Sequence, residues 1–297
     1  MPVIVDQHMR EQITHEGNLF PISFFENELS ELPNREGPLH WHPDFEIARA
    51  ETGTLDYQVG QKHILLQAGD SLFVNRTLLH SVRQVAGDLP DPMPVIVFSG
   101  TLIAPETSTI YQKYIAPIAD CDSLPFVVLR RQEDWCNEIR GFVDDIFANL
   151  KQRKDCYEMA VQRDLSRLFE SLFCHLDALP RTPRATHVQL RTQVRVQKML
   201  AYMYAHYAEP ITFADIAAAA SISRSEAARC FHEYMDCSPV HALIRYRLQT
   251  AHRLLHDTDL TVQEISLACG FRSTNYFGRQ FRKIYGYTPG QVRNLGK

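Results

Sequence analysis

Leu260-Thr261-Val262-Gln263-Glu264-Ile265, followed by Ala268-Cys269-Gly270-Phe271-Arg272-Ser273-Thr274-Asn275-Tyr276-Phe277-Gly278-Arg279-Gln280-Phe281, reads as two short helices meeting at a sharp turn. Thr261 is suited to cap the first helix, and Glu264 matches the acid of a capping box. Gly270 marks the turn, and polar residues open the second helix. Phe271, Tyr276, Phe277 and Phe281, with Phe231 farther upstream, are core candidates rather than DNA-stacking groups. Two short helices joined this way form a helix-turn-helix, whose second helix enters the DNA major groove.

The same grammar occurs 49 to 50 residues earlier, as Ile211-Thr212-Phe213-Ala214-Asp215-Ile216, Ser221-Ile222-Ser223, Arg229-Cys230-Phe231 and Ser238-Pro239. Here Asp215 stands at the acid position without matching the usual capping-box residue. Between the copies, Pro239 to Asp257 is a 19-residue helical pattern with an apolar side from Leu243 to Leu255. Such a rod is ~28 Å long. One DNA turn is ~34 Å, so the rod suits two reading helices over successive major-groove segments.

Upstream, Leu179-Pro180-Arg181-Thr182-Pro183-Arg184 reads as a linker, since its prolines disfavour helix and strand alike. Before it come two helical patterns, from Glu133 to Asn149 and from Asp155 to Leu179. The second carries Leu165, Leu168, Phe169, Leu172, Phe173 and Leu176 as one stripe, which suits either packing on a neighbouring barrel or a dimer interface. From Pro21 to Gly100 short strand-like segments alternate with turn residues, at 45–50, 54–59, 62–66, 71–74 and 95–98. Closely spaced strands without intervening helices indicate a small barrel or sandwich.

The net charge of −4 conceals an asymmetry. Residues 185–297 carry 14 Lys/Arg against 8 Asp/Glu, and residues 1–184 carry 17 against 27. A basic reader joined to an acidic sensor has this signature. Seven scattered cysteines without a Cys-x-x-Cys pair argue against a disulfide framework or a structural zinc site. No apolar run approaches the roughly 20 residues needed to span a bilayer, and no secretion signal is seen, so a cytoplasmic location is expected.

Residues 188–297 resemble the DNA-binding domain of the AraC/XylS family of bacterial transcription regulators. The resemblance is carried by Ile265, Ala268-Cys269-Gly270-Phe271, Ser273, Tyr276-Phe277, Arg279, Phe281-Arg282-Lys283, Gly286, Thr288-Pro289 and Arg293. Ser266, Gly278 and Val292 depart from the family pattern. The resemblance implies recognition helices over about 224–234 and 273–285. Ser223, Arg224, Ser225, Glu226 and Arg229 are then DNA-contact candidates in the first copy, with Arg272, Ser273, Thr274, Asn275, Arg279 and Lys283 in the second. Arg pairs bidentately with guanine and Asn with adenine, whereas Arg229 and Arg279 are equally suited to phosphate contacts or structural ion pairs.

Near the N-terminus, His40-x-His42-x-x-x-Glu46 with Gly53, then Gly69-Asp70 and His80, resembles the two motifs of the cupin barrel. In metal-binding cupins such residues converge on a divalent ion; imidazole and carboxylate ligands suit Fe, Mn, Zn, Ni or Cu. The favoured expectation is a small-metabolite pocket, sugar-like in its ligand, lined by His40, Trp41, His42, Glu46, Tyr57 and His80, with no cofactor. A metal held by His40, His42, Glu46 and His80 is the alternative.

The expected architecture is a multidomain α+β chain. A cupin-like effector-sensing barrel occupies 1–105, a helical, dimerising segment 106–180, a linker 181–187, and an all-α domain with two helix-turn-helix motifs 188–297. The expected function is sequence-specific, ligand-responsive transcription regulation, commonly activation, without enzymatic activity. Double-stranded DNA, a small-molecule effector, RNA polymerase and a second copy of the chain are the expected partners. A cupin metal-binding enzyme or metal sensor fused to a DNA-binding domain is the alternative.

Overall fold

The computed structural model describes residues 10–11, 13, 15, 19–29, 32, 35–87, 92–131, 134–179, 187–235 and 237–295. Apart from His187, the expected linker at 181–187 lies outside the described residues. The chain divides into two compact units, with the second starting its main stretch at His187.

The first unit is built on strands β1 (Ile22–Glu28), β2 (Phe45–Arg49), β3 (Thr54–Val59), β4 (Lys62–Gln67), β5 (Ser71–Val74), β6 (His80–Ala86), β7 (Pro92–Phe98) and β8 (Phe126–Leu129). They form an antiparallel five-stranded sheet, β1-β7-β2-β5-β8, and an antiparallel three-stranded sheet, β4-β3-β6. β1, β6 and β8 add to the strands legible in the sequence.

Side-chain alternation along β2 explains the layering. Phe45 and Ile47 face a helical layer with Phe73, Ile96 and Phe98, while Ala48 joins Leu55, Val59, Leu66 and Val82 on the side of the three-stranded sheet. Because both faces are covered, the strand is buried almost throughout rather than half wet.

The helical layer comprises α1 (Ala116–Ala119), α2 (Asp134–Gln152) and α3 (Tyr157–Cys174). The α3 stripe packs on the sheet: Phe169 meets the rings of Phe45, Phe73 and Phe98 at 5.1, 6.0 and 6.2 Å. Leu165, Leu168 and Leu172 enter the same cluster. Burying one such ring contributes about 1.5–3 kcal/mol. Of the two readings of this stripe, packing on the barrel is the one seen, because the five-stranded sheet needed its outer face covered.

The second unit contains α4 (His187–Ala205), α5 (Phe213–Ala219), α6 (Arg224–Met235), α7 (Pro239–Asp257), α8 (Val262–Ala268), α9 (Thr274–Tyr285) and α10 (Pro289–Leu295). Helix α7 starts where Ser238 caps it, its side chain accepting from the His241 amide, and Pro239 fills the first turn where no amide partner is needed. Helices α4, α5 and α6 pack on one another and on α7, and α9 packs on α8 and α10, which all touch α7 as well. Both α5 and α8 open with closed capping boxes. Thr212 pairs with Asp215 as fully as Thr261 does with Glu264, so the shorter acid at 215 also reaches back to the cap amide, at 2.8 Å. That corrects the sequence reading, in which only Glu264 fitted.

Candidate functional site

Two places carry chemistry. The first lies in the strand-rich unit, where an antiparallel bridge sets His40 opposite His80. His42 and Glu46 follow, and one ligand atom from each of His40, His42, Glu46 and His80 falls within 4.8 Å of the others. All four residues are buried.

The three rings share one orientation. Nδ1 of His40 donates to the Pro38 carbonyl at 2.9 Å, that of His42 to Asp44 at 3.0 Å, and that of His80 to Leu78 at 2.8 Å. A carbonyl only accepts, so each Nδ1 carries a proton and each Nε2 turns toward the carboxylates. His42 Nε2 lies 3.0 Å and His80 Nε2 3.3 Å from Glu46 Oε2. The latter approach is off the line of a hydrogen bond, which leaves a buried ring nitrogen without a hydrogen-bond partner. Tyr57 donates its hydroxyl to Glu46 Oε1.

Charge is concentrated here. Burial raises the Glu46 carboxyl, but the His80 charge and the bond from His42 outweigh it and hold the group well below the ordinary carboxylate range. Burial and the neighbouring His80 bring His40 down to about 3. Burial opposes a proton on His80, yet Glu46 overcomes it and raises that group. Burial and the nearby Glu46 push the Tyr57 phenol well above its usual value.

Sequence reasoning missed Glu11. Its amide donates to the Trp41 carbonyl at 2.9 Å, and its Oε2 lies 3.5 Å from His40 Nε2. Burial, then the Glu46 charge, raise its carboxyl to about 7. No local pattern could have placed it, since its partners lie about thirty residues or more downstream. Of the six expected pocket residues, His40, His42, Glu46, Tyr57 and His80 assemble. Trp41 alternates to the opposite side of its extended stretch and is only half-buried between two buried histidines.

The donor set fits a divalent ion. Imidazole nitrogens whose opposite N–H is fixed by a carbonyl, facing a carboxylate, are what a metal centre needs from its protein.

The second place is the pair of turn-helix segments in the helical unit. In the first, Ser223 accepts from the Glu226 amide at 3.2 Å and meets Ser225 at 3.0 Å. Glu226 pairs with Arg195 and with Arg229, both at 2.7 Å, and Arg229 also binds Glu233. Arg224 and Ser225 are exposed. In the second, Ser273 caps α9 by accepting from the Tyr276 amide at 3.3 Å. Arg272, Asn275, Arg279, Arg282 and Lys283 are exposed, and no ion pair among the described residues engages the four cations; Thr274 is half-buried.

Arg293 is turned inward, donating to the carbonyls of Thr258 and Leu260. Arg247, which drew no attention in the sequence, donates to the Tyr207 and Glu209 carbonyls, both at 2.7 Å.

A cupin barrel and a doubled helix-turn-helix define a DNA-binding regulator with a sensor-type domain. Family models agree: a helix-turn-helix domain matches residues 216–295 and a cupin domain matches residues 29–90. The second unit thus carries an AraC-type helix-turn-helix domain, and the chain is similar to HTH-type transcriptional regulators. It is 27% identical to the HTH-type transcriptional regulator YdeC of Bacillus subtilis, covering 96% of each chain. It is 30% identical to the HTH-type transcriptional activator RhaS of Klebsiella pneumoniae over 42% of this chain and 45% of that one. A solved AraC-type regulator from Chromobacterium violaceum is 30% identical over 35% of this chain and 94% of its own, with a TM-score of 0.34. The chain spans less than half of RhaS but nearly all of YdeC. No helix among the described residues is long and apolar enough to cross a membrane.

Proposed function

We propose that the barrel is the sensor of this regulator and that it responds to a divalent metal ion held by His40, His42, Glu46 and His80. One observation carries this: three imidazoles with Nδ1 bound to carbonyls turn Nε2 toward one buried carboxylate. Bound there, the ion supplies Lewis acidity and an anchoring charge. His40, His42 and His80 would hold the ion through Nε2, His80 giving up the proton that Glu46 favours, while Glu46 offsets charge and Tyr57 orients Glu46.

The role is sensing rather than catalysis, in keeping with relatives that are transcriptional regulators. The domain limits proposed are a barrel at 1–105, a helical segment at 106–180, a linker at 181–187 and a reader at 188–297. Ser223, Arg224, Ser225, Glu226 and Arg229, with Arg272, Ser273, Thr274, Asn275, Arg279 and Lys283, form the proposed DNA face. We place the protein in the cytoplasm as a homodimer acting on RNA polymerase.

A second reading, a sugar-like metabolite without metal, is favoured by the aromatic wall that Tyr57 and His80 make, with ring centroids 6.3 Å apart.

The test is operator selection from genomic fragments, then titration with metal-stripped and metal-loaded full-length protein. An occupant that controls the reader must bind its states unequally, which corresponds to roughly a 5–150-fold change in DNA affinity. Stoichiometric uptake of one ion, lost in His42→Ala, is expected. Equal DNA affinity in both forms would end the sensor proposal, and a shift produced only by a metabolite would favour the second reading.

A further inference from the structure

We infer that Glu11 is the second carboxylate of the barrel's metal centre, contributed by a segment remote in sequence from the other ligands. This rests on the reading of His40, His42, Glu46 and His80 as a metal site, and goes beyond it.

Glu11 is held in place by backbone and side chain together. Residue 10 bridges residue 41, the Glu11 amide donates to the Trp41 carbonyl at 2.9 Å, and the carboxylate reaches His40 Nε2 at 3.5 Å. Farther along, Ile13 packs against the barrel core, and His15 contacts Ser23 at 3.1 Å and Asp44 at 3.3 Å. The Glu11 side chain is only 12% exposed, as little as that of the histidine it meets. A glutamate with only solubility to provide would extend into water instead.

Charge balance supplies the reason. Three neutral imidazoles, one carboxylate and a divalent ion leave a buried net charge of about +1, which burial penalises heavily. A second carboxylate brings the cluster to neutrality. It also shifts the donor set toward oxygen, favouring ions such as manganese(II) over softer ones. Because Glu11 belongs to a different stretch of chain from the other ligands, binding the ion also fixes Arg10 and Glu11 against the barrel.

The experiment uses the metal-stripped full-length chain with manganese(II) and zinc(II) alone, measured by competition with a chromogenic chelator. Wild type, Glu11→Gln, Glu11→Asp, Glu46→Gln and the exposed control Glu51→Gln are compared, each checked for its melting curve. Glu11→Gln should keep a one-ion stoichiometry while binding at least ~10–100-fold more weakly, since loss of a mere outer-shell partner already costs that much. Glu11→Asp should recover part of the loss, and Glu51→Gln should match wild type. Hydrogen exchange supplies the second readout: metal should slow exchange at the Glu11 amide in wild type and not in Glu11→Gln. Affinity within twofold of wild type, with metal-induced protection intact, would overturn the role of Glu11 and leave the four-ligand site standing. Failure of wild type itself to take up a stoichiometric ion would overturn both.

Discussion

The two helix-turn-helix copies share one backbone plan but differ in how their reading helices carry charge and core. In α6 two arginines and two glutamates cancel, and Arg229 is held by Glu226 and Glu233. In α9 two arginines and a lysine stand without an acid. The cores differ in step. Ile222, Ala227 and Phe231 in the first copy correspond to Phe271, Phe277 and Phe281 in the second. The aromatic trio closes a cluster with Leu248, Ile265 and Val292. In the smaller trio Ile222 is half-buried, and Ala227 and Phe231 are buried on a helix that packs against α4 with its buried Val196, Met199, Leu200 and Met203. Duplication supplied two copies of one shape. Divergence left one with free positive charge and an aromatic core, and the other with its charge tied to its neighbours.

The turns give the largest expected contrast. Gly270 has φ +75°, and a Cβ there would lie 2.6 Å from the Tyr207 carbonyl oxygen and 2.9 Å from that of Ala208. Gly270→Ala should lose roughly 2–5 kcal/mol, combining the left-handed backbone cost with a clash against main chain. Ser221 occupies the same turn at φ +55°, so Ser221→Gly should instead gain up to about 1 kcal/mol. Urea unfolding of the full chain measures both; equal effects would erase the distinction between the turns.

Next comes DNA affinity. Arg279→Ala should weaken operator binding by about 1–3 kcal/mol and relax preference at one base pair. Arg229→Ala should cost less than half as much, because Arg229 must first leave two carboxylates. Titrations against single-base operator variants at fixed salt decide this, and a uniform loss across variants would assign Arg279 to phosphate. Smaller still, Thr261→Ala and Thr212→Ala should each remove about 1 kcal/mol of stability through the same lost cap. A clear inequality would show that the copies differ at their caps as well. The smallest effect is a gain: Glu226→Gln should leave Arg229 held by Glu233 alone and steepen the salt dependence of binding by at most about one phosphate's worth.

Local signals made much of this legible. Ser238 and Pro239 announced the start of α7, and Thr212 and Thr261 announced α5 and α8. The strands from Phe45 to Val74 were bracketed by turn residues. What stayed hidden was non-local. β8 pairs with β5 across more than fifty residues, and nothing in Phe126-Val127-Val128-Leu129 names its neighbour. The spacing of His40, His42 and Glu46 showed a ligand set in outline. The carbonyls that orient each ring, and Glu11 beside them, depend on chain paths that periodicity does not encode. Nor does the sequence around Arg293 carry any mark of the carbonyls it satisfies.

Gly270 and Arg247 both seat on the short segment after α4, at Tyr207, Ala208 and Glu209. That shared seat suits the helical unit to act as a gauge of set length rather than a flexible pair of fingers. A promoter lengthened by one base pair between its two recognition blocks turns the far block by about 34° around the duplex axis, since a full turn takes 10–10.5 base pairs. A gauge braced by the two Arg247 hydrogen bonds to main-chain oxygens, with Gly270 in close approach, is expected to follow such a turn poorly, so a one-base-pair insertion should weaken operator binding in the same titrations.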